Sequence, residues 1–350
     1  MKTKVTELFG ITYPLLLSGM SWISIPEMVA AVSNAGGLGI LATGPLSVDE
    51  TRAAVRKIRS LTDRPFGANA TLLFPGAREN ARVLLEEEVP VINYSLGKGD
   101  WIAAAAHRYG GKVIATVVNG RHARRAEEQG SDALIVTGHE AAAHGGDVTS
   151  LVLVPRIADL VDIPVIAAGG FADGRGLAAA LALGADGIAM GTRFMSTRES
   201  PLHGSYKETS LEGDITDTIY GTCFDGMGCR SLRTKAAIRA YRKGLFGLPN
   251  FFSAASNARD IARMLRLPSL KLFAGVAASG WRNSVMMAYL ANAFKAIQLA
   301  SERGDMRRGV LPAGQSLGLL HDIPSIPELL ERMVSEAEAV QERVSGVFQI

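Results

Sequence analysis

The residues best suited to chemistry crowd into one stretch, Thr137-Gly138-His139-Glu140-Ala141-Ala142-Ala143-His144-Gly145-Gly146-Asp147. Imidazoles and carboxylates stand there among small residues that leave room for a ligand. An imidazole in such a place can take up and release protons near neutral pH, and His144 is the candidate for that work. His139 sits nearer the end of the preceding apolar run and is expected to matter less. Two histidines five apart in a glycine-flanked loop are a poor metal set, so no metal is expected. Glycine supplies the second signal. Ala167-Ala168-Gly169-Gly170 leads into Phe171-Ala172-Asp173-Gly174-Arg175-Gly176, and Met190-Gly191-Thr192-Arg193 follows on. Glycines let backbone N–H groups approach anionic oxygens, and a helix N-terminus adds a favourable dipole. The two places together read as a phosphate site.

Something must carry these loops. Short apolar runs of strand length begin near Pro14, Leu38, Pro65, Val89, Lys112, Ala133, Pro164 and Gly187, spaced 21 to 31 residues apart. Between them lie segments such as Val48–Thr62 with apolar residues at helical spacing. Strands apolar on both faces and alternating with helices imply a parallel, doubly covered sheet. Eight such units predict an α/β fold, a (β/α)8 TIM barrel, in preference to a doubly wound open sheet. Active sites of such barrels lie at the C-terminal strand ends, often with a phosphate held after strands seven and eight. Both chemical signals fall there. By contrast, Gly36-Gly37-Leu38-Gly39 precedes strand two and reads as structural.

Composition narrows the function classes. The 350 residues are 47% hydrophobic and 20% charged, a globular balance. A net charge of +3 gives no reason to expect nucleic acid. Two cysteines, Cys223 and Cys229, rule out a disulfide scaffold and cannot ligate an iron–sulfur cluster unaided; they are expected to be unpaired structural thiols. The N-terminus lacks a signal-peptide pattern. The most apolar later stretch, Leu270 to Ala300, is interrupted by Lys271, Arg282, Asn283 and Lys295, so no membrane span is expected. A cytoplasmic protein is expected.

The regular pattern stops near Phe194. Residues 1–199 are expected to form the barrel, 200–305 a mainly helical lid region over its mouth, and 306–350 a segment whose amphipathic helix, Ser325–Val344, packs back on the barrel. Residues 230–299 carry twelve Lys or Arg and one acid, Asp260, a local charge of +11 that leaves −8 for the rest. Cations there alternate with apolar residues at Leu245-Phe246, Phe251-Phe252 and Leu270–Val276, a mixture that suits a ligand with an anionic end and an oily body. Helical patterns in this region break at Gly-Leu-Pro, 247–249. Met286 and Met287 read as helix core. Trp22 reads equally as a pocket wall or as ordinary packing.

The chain resembles the nitronate monooxygenase (2-nitropropane dioxygenase-like) family of FMN-dependent barrels, which includes NADH:quinone reductases and flavin-dependent type II enoyl-acyl-carrier-protein reductases. The resemblance rests on Thr6-Glu7-Leu8, Tyr13-Pro14, Gly19-Met20, Ala30 to Leu38, Leu61 to Gly67 with Asn69, Glu140 to Gly145, Pro164 to Gly176, Gly184-Ala185-Asp186, Met190 to Phe194, and Ala313-Gly314-Gln315. It implies FMN as cofactor. Gly19, Met20 and Ser21 would line the isoalloxazine, and Asn69 or Thr71 would contact the ring or its ribityl chain. Thr116, which stands where some quinone reductases carry lysine, joins that set. Ala168, Gly169, Gly170, Gly191 and Thr192 would hold the phosphate, His144 would be the catalytic acid/base, and Gln315 would reach the same pocket. Departures flank the substrate side: Leu17-Ser18 replaces the usual Gln-Gly, Ala143 precedes the histidine, and strand four ends in Asn93-Tyr94-Ser95-Leu96 without a glycine-rich turn.

The leading expectation is an FMN-dependent oxidoreductase of a nitronate-like substrate, with His144 removing a proton. The alternatives are an acyl-thioester oxidoreductase, acting on an acyl-CoA or an acidic acyl carrier protein, and an NAD(P)H:quinone reductase. A non-catalytic flavin-binding protein would keep the glycines and lose the proton-transfer residue, and His144 argues against it. A homodimer is an open possibility from sequence.

Overall fold

The computed structural model describes residues 1–142, 144–242, 251–266 and 280–348. Its centre is a closed barrel of eight parallel strands: β1 (Leu15–Leu17), β2 (Leu38–Ala42), β3 (Gly67–Thr71), β4 (Val91–Ser95), β5 (Lys112–Val117), β6 (Ala133–Thr137), β7 (Val165–Ala168) and β8 (Gly187–Met190). Each pairs with the next, and β8 returns to β1 with Leu15 opposite Ile188. The strands begin at or just after the residues that the apolar runs indicate. Where the run starts at or near proline, at Pro14, Pro65, Pro90 and Pro164, the strand begins one or two residues later, because proline has no N–H for the ladder.

Helix α1 (Lys4–Phe9) precedes the barrel. The connecting helices are α2 (Pro26–Asn34), α3 (Val48–Leu61), α4 (Ala77–Glu86), α5 (Asp100–Ala106), α6 (Gly120–Glu128), α7 (Ser150–Ala158) and α8 (Gly174–Ala182). Several start on side-chain caps. Ser47 and Glu50 form a capping box on α3, and Asn119 and Asp173 cap α6 and α8. The barrel interior is filled by Leu16, Ile40, Val91, Ile114, Ile135 and Ile166, and Val5 and Phe9 of α1 pack against the same cluster. The barrel is therefore a packed core, not a pore.

After β8 come α9 (Thr192–Met195), α10 (Gly204–Glu212), β9 (Thr218–Gly221), β10 (Cys229–Leu232), α11 (Lys235–Tyr241), α12 (Phe251–Met264), α13 (Trp281–Ser301) and α14 (Ile326–Phe348). The region is mainly helical, as expected, and carries an antiparallel hairpin, β9–β10, that the sequence pattern does not resolve. Its four-residue strands are too short to show a period, and β9 is only half-buried. Residues 245–249 and 270–276 lie outside the described residues, as do Ala143 and Lys271. Helix α14 covers the amphipathic stretch and packs back on α8: a Cβ on Gly174 would stand 2.3 Å from the Met333 carbonyl oxygen, and Glu336 accepts the Gly174 N–H at 2.8 Å. Among the described residues no helix is long and apolar enough to cross a membrane.

The glycines at the start of β2 are structural. A Cβ on Gly39 would stand 2.2 Å from the carbonyl oxygen of Val29 on α2, so only glycine lets that helix lie on the strand. Gly39→Ala is expected to destabilise the fold by about 3 kcal/mol, seen as an earlier urea unfolding midpoint. Gly204→Ala, at a site with nothing within 4 Å, should leave the midpoint in place.

Candidate active site

Parallel closure gathers the C-terminal ends of all eight strands in one ring, and the loops there meet by close backbone approach. After β6 the chain turns at Gly138, whose N–H donates to the Ala168 carbonyl at 2.9 Å. A Cβ on Gly169 would come within 3.1 Å of the Gly138 oxygen and 3.2 Å of the Ala141 nitrogen. Gly169 and Gly170 have φ of +99° and +88°, where a side chain would also be strained. Among the described residues no hydrogen bond takes up the N–H of Gly169, Gly170, Gly191 or Thr192, and the strands they follow are paired neighbours. Such a row of open backbone donors fits a phosphate.

The Ala-Gly-Gln segment closes one side. Gln315 N–H donates to Glu140 O at 2.9 Å, and Gly314 N–H to Thr192 Oγ1 at 2.9 Å. Glu140 lies against the cradle: a Cβ on Gly170 would stand 3.6 to 3.8 Å from its side chain. Its carboxylate accepts the N–H and hydroxyl of Ser150 at 3.0 and 3.1 Å, tying the β6 loop to the start of α7. On the opposite side the β1 loop carries Gly19, Met20 and Ser21. A Cβ on Gly191 would lie 3.3 Å from Met20 Sδ, so that loop adjoins the β8 end. Asn69 is committed to holding it: Nδ2 donates to Gly19 O at 3.1 Å, and Oδ1 accepts Thr43 N–H at 3.1 Å. Thr71 ends β3, half-buried, and Thr116 Oγ1 on β5 accepts from Asn93 Nδ2 at 3.0 Å.

His144 is where sequence places the proton-transfer group, and its partner comes from outside the barrel. Nε2 lies 2.6 Å from Asp225 Oδ2, in the turn between β9 and β10. Asp225 is buried, and its Oδ1 accepts Met227 N–H at 3.0 Å. Nothing local marks Asp225 as a partner, since it stands 81 residues from His144. The hairpin is docked on the β6 loop by Arg230, whose N–H donates to Ala142 O at 3.1 Å and whose Nη2 donates to His139 O at 3.1 Å. His139 has a different task. Its ring packs 4.5 Å from that of Tyr220, and Nδ1 lies 2.9 Å from Gly146 O.

Helix α13 touches both the Asp225 turn and the β1 loop. Met286 of α13 sits where a Cβ on Gly226, beside Asp225, would meet it at 3.3 Å. Phe294 of the same helix meets Trp22 edge to face at 4.5 Å. Trp22 has φ +62°, rare for a bulky residue, so it packs against α13 from a strained turn. The basic segment is less uniform than its count suggests. Arg230 points inward, Arg266 pairs with Asp49 at 2.8 Å and Arg263 with Asp260 at 3.5 Å. Arg233, Lys235, Arg242 and Arg259 are exposed, as is Phe252.

Both cysteines are free thiols. Cys229 is buried against Phe224 and Tyr241, and burial raises its pKa; Cys223 is half-buried. An alkylating reagent should therefore modify one thiol of the native protein, Cys223, and peptide mapping should find Cys229 modified only after unfolding.

A family profile described as nitronate monooxygenase matches residues 2–90 and 76–336. A 5-hydroxy-7a-methyl-1-oxo-octahydro-1H-indene-4-carboxyl-CoA dehydrogenase from Rhodococcus jostii is 37% identical over 343 residues, 96% of either chain. A probable nitronate monooxygenase from Staphylococcus saprophyticus is 32% identical over 67% of this chain and 79% of its own. Among solved structures, FabK from Thermotoga maritima superposes with a TM-score of 0.85 at 35% identity, over 99% of this chain and 100% of that one. With its closed barrel and this full-length likeness, the chain belongs to the nitronate monooxygenase family of flavin oxidoreductases.

Proposed function

We propose that the protein is an FMN-dependent oxidoreductase of an acyl thioester, with residues 1–199 as the FMN-binding barrel, 200–305 as the lid and 306–350 as the segment that packs back. The observation that carries this reading is the placement of His144, held by a buried carboxylate, at the same barrel end as the open backbone donors of β7 and β8. Two facts favour a thioester over a nitronate. The relative named for a CoA thioester is alike over 96% of either chain, whereas the nitronate relative is alike over 67% of this one. The lid also exposes Lys235, Arg242 and Arg259, cations that suit the phosphates of CoA or an acidic carrier and that a small nitronate does not need.

Gly169, Gly170, Gly191 and Thr192 would hold the FMN phosphate through backbone N–H groups, with Ala168 at the end of β7 beside them. Gly19, Met20 and Ser21 would line the ring, with Asn69 keeping their loop in place and Thr71, Thr116 and Gln315 around the rim. FMN, when bound, supplies hydride chemistry. His144 takes the proton from the carbon α to the thioester carbonyl, or returns it in the reverse direction. The β1-loop and lid aromatics, Trp22 and Phe294, enclose the substrate side and exclude water.

Two measurements test this. The protein should be yellow when purified or take up added FMN in preference to FAD, and Gly170→Val should lose that uptake, because its φ of +88° does not accommodate a branched residue. In anaerobic stopped flow an acyl-CoA should reduce the bound flavin. His144→Ala should slow that step by roughly 10²–10⁴ and leave FMN content unchanged; reduction by a nitronate and not by any acyl thioester would return the substrate to the nitronate class.

A further inference from the structure

We infer that Asp225 is a positioning residue that fixes the tautomer of His144, so that Nδ1 is the atom that exchanges the proton. The inference rests on the proposed role of His144 and adds which nitrogen acts and what holds it. An ionised carboxylate only accepts hydrogen bonds. With Asp225 Oδ2 at 2.6 Å from Nε2, Nε2 carries the hydrogen, and the neutral ring keeps its lone pair on Nδ1. Among the described residues no hydrogen bond engages Nδ1. The carboxylate has little freedom to turn away. Oδ1 is held by Met227 N–H at 3.0 Å, and the Asp225 side chain is 8% exposed, so water competes weakly for it. When the C–H bond α to the carbonyl breaks, its electron pair stays on carbon and the proton goes to Nδ1. The imidazolium that forms faces a carboxylate already in place, which stabilises it.

The origin of Asp225 gives the arrangement a further consequence. His144 belongs to the barrel, whereas Asp225 belongs to the β9–β10 turn, seated on the β6 loop by Arg230 and backed at Gly226 by Met286 of α13. The base is thus complete only when the hairpin is docked. A carboxylate partner of this kind is worth far more than one hydrogen bond: exchanging the aspartate of the serine-protease triad for asparagine presents the wrong tautomer and lowers kcat by about 10⁴.

The test uses FMN-loaded protein labelled with 15N-histidine. Long-range 1H–15N spectra of the wild type, with His144 assigned from its absence in His144→Gln, should show a protonated Nε2 and an unprotonated Nδ1. Asp225→Asn, whose amide can donate to Nε2, should shift His144 toward the Nδ1-protonated tautomer. It should also slow thioester-driven flavin reduction by roughly 10³–10⁴, with KM and FMN content nearly unchanged, and Asp225→Glu should recover part of that loss. A wild-type His144 protonated on Nδ1 would overturn the inference without needing any variant, as would Asp225→Asn turning over at the wild-type rate. The expected wild-type tautomer in a protein that no acyl thioester reduces would support the Asp225 assignment and remove the thioester as substrate.

Discussion

Pairing of β1 with β8 closes the sheet, and most of what this molecule can do depends on that closure. In an open parallel sheet the two edges lie far apart. Here Leu15 lies opposite Ile188, so the loop after the first strand adjoins the loop after the last. That is how Met20 comes to face Gly191, two positions 171 apart in the chain. Closure also fixes polarity. All eight C-terminal strand ends point the same way, and each loop there can contribute to one site without any local instruction to do so.

Within that ring, small residues decide how closely the backbones approach. A Cβ on Gly138 would stand 2.7 Å from the Ser150 nitrogen, and one on Gly169 or Gly314 would stand 3.1 or 2.8 Å from the carbonyl oxygen of Gly138 or Glu140, closer than a side chain permits. The result is a cradle whose N–H groups at Gly169, Gly170, Gly191 and Thr192 take part in no hydrogen bond among the described residues. Backbone donors are placed by the fold itself and lose no rotamer entropy on binding. Polar side chains nearby then serve as fasteners. Glu140 holds Ser150, Asn69 holds Gly19, and Thr192 holds Gly314.

The region after β8 adds what the barrel lacks. Its hairpin lays Asp225 against His144, and its long helix α13 bears on both Gly226 and Trp22. His144, Asp225 and Trp22 are therefore joined through one region of the chain. Substitutions on α13 can be felt at His144 without touching it, since Met286 backs the turn that carries Asp225.

The amino-acid sequence by itself determined the barrel. Eight apolar runs with intervening helical periodicity, proline before strands and capping residues before helices are local signals, and local contacts are what periodicity reports. Gly169, Gly170, Gly191 and His144 were legible for the same reason, because their positions follow once the strands are counted. Only the tertiary structure decided how side chains far apart in sequence pair. Asp225 sits 81 residues from His144, in a turn between strands too short to show a period. Arg230 counts as one of a run of cations until the fold turns it inward onto the His139 carbonyl, and only the fold shows the Asn69 amide bridging Gly19 and Thr43. Those partners are chosen by where the closed sheet and the docked hairpin bring the chain back, and no window along the sequence contains that distance.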